Sequence, residues 1–226
     1  MLAEIRNKPD FASVHLVLGA SEQVITEPGA MMGMHPGLKL ESNLKGGLLA
    51  AASRALLGES VILNTYTATA DGQRLDLAPA QPGDVEAVAL DGSTSLILQK
   101  GGFLASTPGI SLEAKFDGAK GWFAGESVLM IRATGAGTIW ISSYGAISQV
   151  DVNGEYDVDT GHLVAFDDTL RWNLQRVGGL KASLLSGEGV VCRFSGRGRL
   201  WFQTRSPSAL ASFLNPFRKI KPKSNN

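Results

Sequence analysis

Hydrophobic and polar positions along the chain recur in three segments that align without a gap. The segments have the sequences GAMMGMHPGLKL, GGFLASTPGISL and GHLVAFDDTLRW, and they begin at Gly29, Gly101 and Gly161. Apolar residues hold the same offsets in each, with Met31, Phe103 and Leu163 in one column and Leu38, Ile110 and Leu170 in another. Because self-similarity at fixed offsets is the signature of a repeat architecture, the pattern predicts three tandem copies of one strand-rich unit.

Each copy continues through a second shared landmark into a predicted β-hairpin. The landmarks are Gly58-Glu59-Ser60, Gly125-Glu126-Ser127 and Gly187-Glu188-Gly189. An apolar strand, a glycine-containing turn and a second strand follow each landmark, as in VVCRFS, GRG and RLWFQT. Glycine supplies the positive φ angles that tight hairpin turns require. The sequence therefore predicts an all-β protein.

The copies are predicted at about 20–92, 93–154 and 155–217 of a single domain covering 1–226, with 218–226 as a basic tail. The first two copies end in the strings PGDVEAVALDG and YGAISQVDVNG, which finish in hairpin turns. The third copy lacks this strand, and the string DFASVHLVLG at 10–19 has the same length and pattern. We therefore predict that strand 10–19 completes the third copy. The chain ends would then meet in a closed assembly with pseudo-threefold symmetry and no free sheet edge.

Two segments depart from the strand pattern and predict helices. Leu48, Leu49, Ala52 and Leu56 recur at helical spacing and predict a short helix near 47–57. Pro207, followed by apolar residues at helical spacing, predicts a carboxy-terminal helix near 206–217. Both segments carry more Leu and Phe than the repeated core needs, so we expect self-association through one of them.

Composition narrows the class of protein. The chain has 226 residues, of which 44% are hydrophobic, and its 21 basic residues balance 21 acidic ones. This neutral balance gives no general attraction to phosphates, so nucleic acid is an unexpected partner. Cys192 has no second cysteine to pair with, the amino terminus lacks a signal-peptide core, and no apolar run is long enough to span a membrane. We expect a soluble cytoplasmic protein.

Candidate metal ligands are few and scattered. His15, His35 and His162 lie in different parts of the pattern, and no two form a His-x-His pair, so a metal site of the kind found in cupins is not predicted. The densest group of ligand-capable side chains comprises Asp157, Asp159, His162, Asp167 and Asp168. That group could bind a cation through oxygen, or it could form the polar outer face of a hairpin. We predict no metal and no cofactor.

Catalytic motifs are also missing from the sequence. Cys192 shares its column with Met130 and Leu63, so a buried small apolar role is expected rather than a nucleophile. No Gly-x-Ser-x-Gly elbow and no phosphate-loop ending accompany the serines and the paired glycines. We predict no catalytic residues, and hence a protein that is not an enzyme.

Two further sets of charged residues leave alternatives open. Arg193, Arg197, Arg199 and Arg205 lie near Trp201 and Phe202, so this face could stack bases and contact phosphates, or it could be a solvated surface. Glu59, Glu126 and Glu188 share one column in all three copies. They could brace a turn in each copy, or they could converge on the threefold axis around a cation.

Several long strings resemble one known family. EPGAMMGMHPGLKLES, GGFLAS, SSYGAI, VDTGHLVAF and GEGVVCRFSGRGRLWFQTR are similar to the altered-inheritance-of-mitochondria family, from about Ile25 to Arg205. The resemblance implies a fold like that of the tryptophan RNA-binding attenuator protein (TRAP), with a shortened double-stranded β-helix for each unit. Mitochondrial members of the family are associated with inner-membrane organisation. The family offers no catalytic residues to carry over.

These observations together favour a homo-oligomeric, non-enzymatic scaffold or protein-interaction module. Repeat architectures without a convergent site usually work by presenting a surface. The alternative is a protein that binds a small ligand or RNA in clefts between the units.

Overall fold

The computed structural model describes residues 1–44, 62–99, 101–115, 130–176 and 190–218. Within these ranges the chain is nearly all-β, as the sequence predicts, and all the pairings between its strands are antiparallel. A single α-helix is present there, at the carboxy terminus. The predicted helix near 47–57 and the glutamates Glu59, Glu126 and Glu188 lie outside the described residues.

Sixteen strands and one helix form the described part of the chain. The strands are β1 (Leu2–Arg6), β2 (Ser13–Leu18), β3 (Gln23–Thr26), β4 (Met31–Met34), β5 (Lys39–Leu44), β6 (Ile62–Thr67), β7 (Gln73–Leu77), β8 (Val85–Asp91), β9 (Leu96–Gln99), β10 (Phe103–Ser106), β11 (Ile110–Lys115), β12 (Met130–Ser142), β13 (Ile147–Asp159), β14 (Leu163–Asp167), β15 (Arg171–Arg176) and β16 (Val190–Gln203). Helix α1 covers Pro207–Leu214, and a 3₁₀ turn at Asn215–Phe217 extends it. Ser206 caps α1 by accepting a hydrogen bond from the Ala209 amide, and Pro207 occupies the first turn, where its missing N–H costs nothing.

The strands form three pairing groups with the same internal pattern. We call them group 1 (13–77), group 2 (85–142) and group 3 (147–203). In each group the strand of the aligned segment, namely β4, β10 or β14, pairs with the end of the last strand, namely β7, β12 or β16. All three pairings shift register at the same place, between Met31 and Gly33, between Phe103 and Ala105, and between Leu163 and Ala165. A bulge inserts one unpaired residue into a ladder, and the gapless sequence alignment places it identically in the three groups.

Each group begins one strand earlier in the chain than the corresponding copy predicted from the sequence. Strand β2, which was predicted to complete the third copy, pairs instead with β1 and β7 in group 1. In the same way β8 pairs with β12, and the first half of β13 pairs with the second half of β16. The assignment of strand 10–19 was wrong because three strands share one sequence pattern and only the three-dimensional pairing distinguishes their partners.

Successive groups share strands and core. Strand β3 of group 1 pairs with β10 of group 2, and β9 of group 2 pairs with β14 of group 3. The core of each earlier group contains a tryptophan from the next group, Trp140 in the first junction and Trp201 in the second. Both indole rings are buried. Burial of so large an apolar side chain is worth several kcal/mol, so the junctions are an integral part of the core.

The predicted closure of the chain ends is not seen among the described residues. Strands β1 and β4 form the two edges of one sheet, and β13 and β5 end the other. No strand pairing joins group 3 to group 1 within the described ranges. The three groups therefore form an open series there, with β4 at one end and the second half of β13 at the other.

Candidate functional site

The most connected polar cluster lies on the outer face of group 1. Ser13 Oγ is 3.0 Å from Nε2 of His15, and His15 Nδ1 is 2.6 Å from Asp76 Oδ1. The Arg74 guanidinium donates from Nε to both carboxylate oxygens of Asp76, at 2.7 and 2.9 Å. Side chains two apart on a strand share a face, which places Ser13 beside His15, and the pairing of β2 with β7 sets His15 opposite Asp76.

Burial alone would raise the pKa of the Asp76 carboxyl, but hydrogen bonds from Arg74 and His15 outweigh it, and the net pKa is lowered. Asp76 is therefore a stable carboxylate whose charge is compensated locally. The order serine, histidine, aspartate matches that of a hydrolase triad. However, Ser13 is only 4% exposed, so a substrate cannot reach its hydroxyl. The cluster is suited to holding β2 and β7 together.

This cluster is not predicted from the sequence. Assignment of strand 10–19 to the third copy separates His15 from Asp76, which lies in the first copy. One feature of the sequence does point to the cluster. Asp76 aligns with Trp140 and Trp201 of the other two copies, and a carboxylate at a position that is otherwise a buried tryptophan requires a polar partner.

The acidic group at Asp157, Asp159, His162, Asp167 and Asp168 is not brought together around one point. Each acidic side chain has a partner of its own: Asp157 pairs with Arg193, Asp159 accepts from the Gly161 amide, Asp167 pairs with Arg199, and Asp168 pairs with Arg132. His162 Nδ1 lies 2.7 Å from the Gln203 carbonyl oxygen. Among the described residues, no cluster of three or more histidine, cysteine or acidic side chains could hold a metal ion.

Cys192 lies in the core of group 3 and is fully buried. Burial, with a smaller contribution from the charge of Asp159, raises the pKa of its thiol to about 12. A thiol needs to ionise to act as a nucleophile. The side chain therefore serves as a small apolar core residue, as its column with Met130 predicts.

Two of the four arginines near Trp201 and Phe202, namely Arg193 and Arg199, are paired with carboxylates. Arg193 donates two hydrogen bonds to Asp157, and Arg199 donates two to Asp167. Trp201 is buried beneath Arg199, whose guanidinium carbon lies 4.9 Å from the ring centroid. Base stacking needs an accessible aromatic ring, so this geometry favours a structural face over an RNA platform.

A cleft lies between groups 2 and 3, beside the start of α1. It has a volume of about 200 Å³, and its polar lining includes Gln99, Ser142 and Gln203. The amide groups of both glutamines are engaged, with Gln99 donating to the Thr160 carbonyl and Gln203 donating to that of Gly161. Ligand pockets usually enclose about 300–1,000 Å³. The cleft is thus small, and its hydrogen-bonding groups are largely occupied.

Glu27, at the junction of groups 1 and 2, is a half-buried carboxyl with a raised pKa. Its amide donates to the Leu104 carbonyl at 3.0 Å, and burial raises the pKa of its side chain to about 7. The usual pKa of glutamate is about 4.3, so the folded chain binds this proton more tightly than the unfolded chain. The resulting stability is fully present below the unfolded pKa and is lost as pH rises towards 7.

We therefore expect Glu27→Gln to raise the free energy of unfolding at pH 8 by about 1–2 kcal/mol, after allowance for solvent screening, and to leave it unchanged near pH 4. Urea denaturation across this pH range measures the difference. If the variant and the wild-type protein lose stability in parallel between pH 4.5 and 7, Glu27 is not the responsible group.

The described structure is thus an all-β protein with three recurring pairing groups and a carboxy-terminal helix. No helix in its described part is long and apolar enough to cross a bilayer. The model of the family described as "Mitochondrial biogenesis AIM24" matches residues 3–205, and the chain belongs to this family.

Two proteins from Streptococcus pyogenes are similar to this chain over nearly its whole length. An uncharacterized protein of the serotype M6 strain is 29% identical over 227 residues, covering 96% of this chain and 89% of the relative. A crystal structure of an S. pyogenes protein superposes with a TM-score of 0.80 at 25% identity, covering 96% of this chain and 99% of that one. The fold of the described residues is therefore shared with that S. pyogenes protein, and neither relative carries a functional name.

Proposed function

We propose that this protein is a non-enzymatic scaffold that self-associates and presents its surface to other proteins. In this proposal the three pairing groups are TRAP-like units of one repeat, and the pseudo-threefold closure predicted from the sequence is not seen among the described residues. The proposed location is the cytoplasm, which is consistent with the lone, buried Cys192.

The observation that carries the proposal is the apolar surface of helix α1. Leu210, Phe213, Leu214 and Phe217 are all exposed, and no residue of the helix is buried. The rings of Phe213 and Phe217 lie 5.8 Å apart and form one continuous patch. Exposed apolar patches of this kind mark interaction surfaces. This helix is one of the two segments, with that near 47–57, through which the sequence predicts self-association.

Removal of the patch tests this part of the proposal. We expect Phe213→Ser combined with Phe217→Ser to reduce the mass of the wild-type assembly, because the apolar contact between helices is lost. Both side chains are exposed, so the free energy of unfolding should change by no more than about 0.5 kcal/mol each. Sedimentation velocity gives the mass, and Ser208→Ala at the polar start of the helix is the matched control. A wild-type protein that is monomeric at micromolar concentration contradicts the proposal.

The alternative function, binding of a small ligand or RNA, rests on the cleft between groups 2 and 3. The small volume of the cleft and the engagement of Gln99 and Gln203 disfavour it. The pairing of Arg193 and Arg199 with carboxylates disfavours RNA in particular. The scaffold is therefore the better supported function.

A further inference from the structure

The two ends of the open series of groups are complementary to each other. Within the chain, the second short strand of one group pairs with the bulged strand of the next, as in β3 with β10 and β9 with β14. By the same rule, the second half of β13 would pair with the bulged strand of a following group, and β4 would pair with the second short strand of a preceding group. Neither strand has such a partner among the described residues.

Burial at β4 shows that a partner is missing there. Met31, Met32 and Met34 are 40%, 56% and 39% exposed, whereas the matching Phe103 and Leu163 are only 3% and 1% exposed. All residues of β10 and β14 are buried, because the strand of the preceding group and its core cover them. Strand β4 therefore presents an apolar, methionine-rich edge that is covered in both other groups.

The other end shows the same deficit. Tyr156 on β13 is 38% exposed, whereas Ile25 and Ile97, which hold its position in the other groups, are 7% and 0% exposed. Its ring stacks on Phe202, with the ring centroids 6.3 Å apart. Methionine thioethers make favourable contacts with aromatic rings, so the aromatic pair at this end suits the methionines at the other.

A second series of contacts stops at the same place. The Ala12 amide, directly before group 1, donates to the Gly83 carbonyl at 2.8 Å, and the Asp84 amide, directly before group 2, donates to the Gly145 carbonyl at 3.0 Å. The next amide in the series, that of Ala146, has no further group to reach and donates to the Thr204 hydroxyl instead.

We infer that a second copy of this chain completes the series, with β4 of one chain pairing antiparallel to residues 155–159 of β13 of the next. The internal junctions fix the register. Ser106 lies opposite Ile25 and Phe166 lies opposite Ile97, so Met34 lies opposite Tyr156 of the neighbouring chain, and Gly33 lies opposite Asp157. Such a head-to-tail contact is heterologous, and repetition of it generates a ring or a filament.

Charge is compatible with this register. Asp157 already carries its counter-charge, because Arg193 donates to it at 2.7 and 2.8 Å, so burial would not leave it unpaired. The register also brings His35 opposite Glu155.

The contact between chains lacks the indole that anchors the internal junctions, because Asp76 of group 1 stands at the position that Trp140 and Trp201 occupy in the other two groups. The contact between chains is accordingly weaker than the junctions within one chain.

This inference rests on the proposed self-association and adds a second contact surface to that of α1. The direct test is a disulfide across the predicted register. Met34→Cys and Tyr156→Cys chains are mixed in equal amounts and oxidised, since directly opposed strand positions have the spacing that a disulfide needs. Cys192 is buried and does not compete. We expect a covalent dimer that contains one chain of each variant, and no such product from Leu2→Cys mixed with Tyr156→Cys, since β1 is the edge at the far side of its sheet.

Equilibrium measurements separate this inference from the helix contact of α1. Met34→Lys and Tyr156→Lys place a charge on each proposed edge, and charged edges resist strand pairing. We expect either variant to lose the head-to-tail assembly, whereas Leu2→Lys retains it. Circular dichroism of each variant confirms that the fold is intact. An assembly that both lysine variants leave unchanged overturns the inference and leaves the proposed scaffold standing. A disulfide that forms only within single chains of the Met34→Cys/Tyr156→Cys double variant overturns it in favour of closure inside one chain.

Discussion

Trp201→Ala is expected to lower the free energy of unfolding by about 3–5 kcal/mol. The indole of Trp201 is fully buried in the core of group 2, although the residue belongs to group 3. Its Nε1 donates to Glu86 Oε1 at 3.0 Å, so the alanine variant opens a cavity and also removes the partner of a half-buried carboxylate.

Chemical denaturation at fixed protein concentration measures this loss, because self-association would otherwise shift the apparent stability. Val17→Ala on the exposed face of β2 is the control and should change the free energy by no more than about 0.5 kcal/mol. A loss below about 1 kcal/mol in Trp201→Ala would show that the junction between groups 2 and 3 is not part of the cooperative core.

Gly83→Ala is expected to destabilise the fold by about 2–4 kcal/mol through steric overlap alone. A Cβ at Gly83 would overlap the backbone oxygen of Ser143 and lie 2.8 Å from the backbone of Gly145. Backbone atoms cannot move aside as a flexible side chain can. The same glycine accepts the Ala12 amide and bridges to Gly145, so the overlap falls where the starts of the three groups meet.

The matched control is Gly19→Ala. A Cβ at Gly19 would meet only the ends of the Asp71 and Glu22 side chains, at 3.3 Å and beyond, and these can rotate away. Thermal unfolding of the two variants should therefore differ by several degrees or more. Equal midpoints would mean that the close approach of the three group starts does not constrain the fold.

The sequence predicted the repeated features because they are local. The gapless alignment of the segments at Gly29, Gly101 and Gly161 corresponds to a bulge at the same place in three ladders. The carboxy-terminal helix was also predictable, because Pro207 and the apolar spacing act within one segment.

What the sequence could not determine was the partner of each strand. Strands β2, β8 and β13 have similar patterns, and nothing in a pattern of period two says which neighbour a strand takes. That ambiguity misplaced strand 10–19, and with it the cluster of Ser13, His15 and Asp76. The exposure of Met31 and Met34 was hidden for the same reason, since their column is buried in the other two groups.

The most direct test of the scaffold is native mass spectrometry of the full chain, purified straight from cells. We expect masses at multiples of the 23.8 kDa chain, with no retained metal, metabolite or nucleic acid. A single chain that carries a stoichiometric small molecule, metal ion or RNA would contradict the account and identify the ligand-binding alternative as the function.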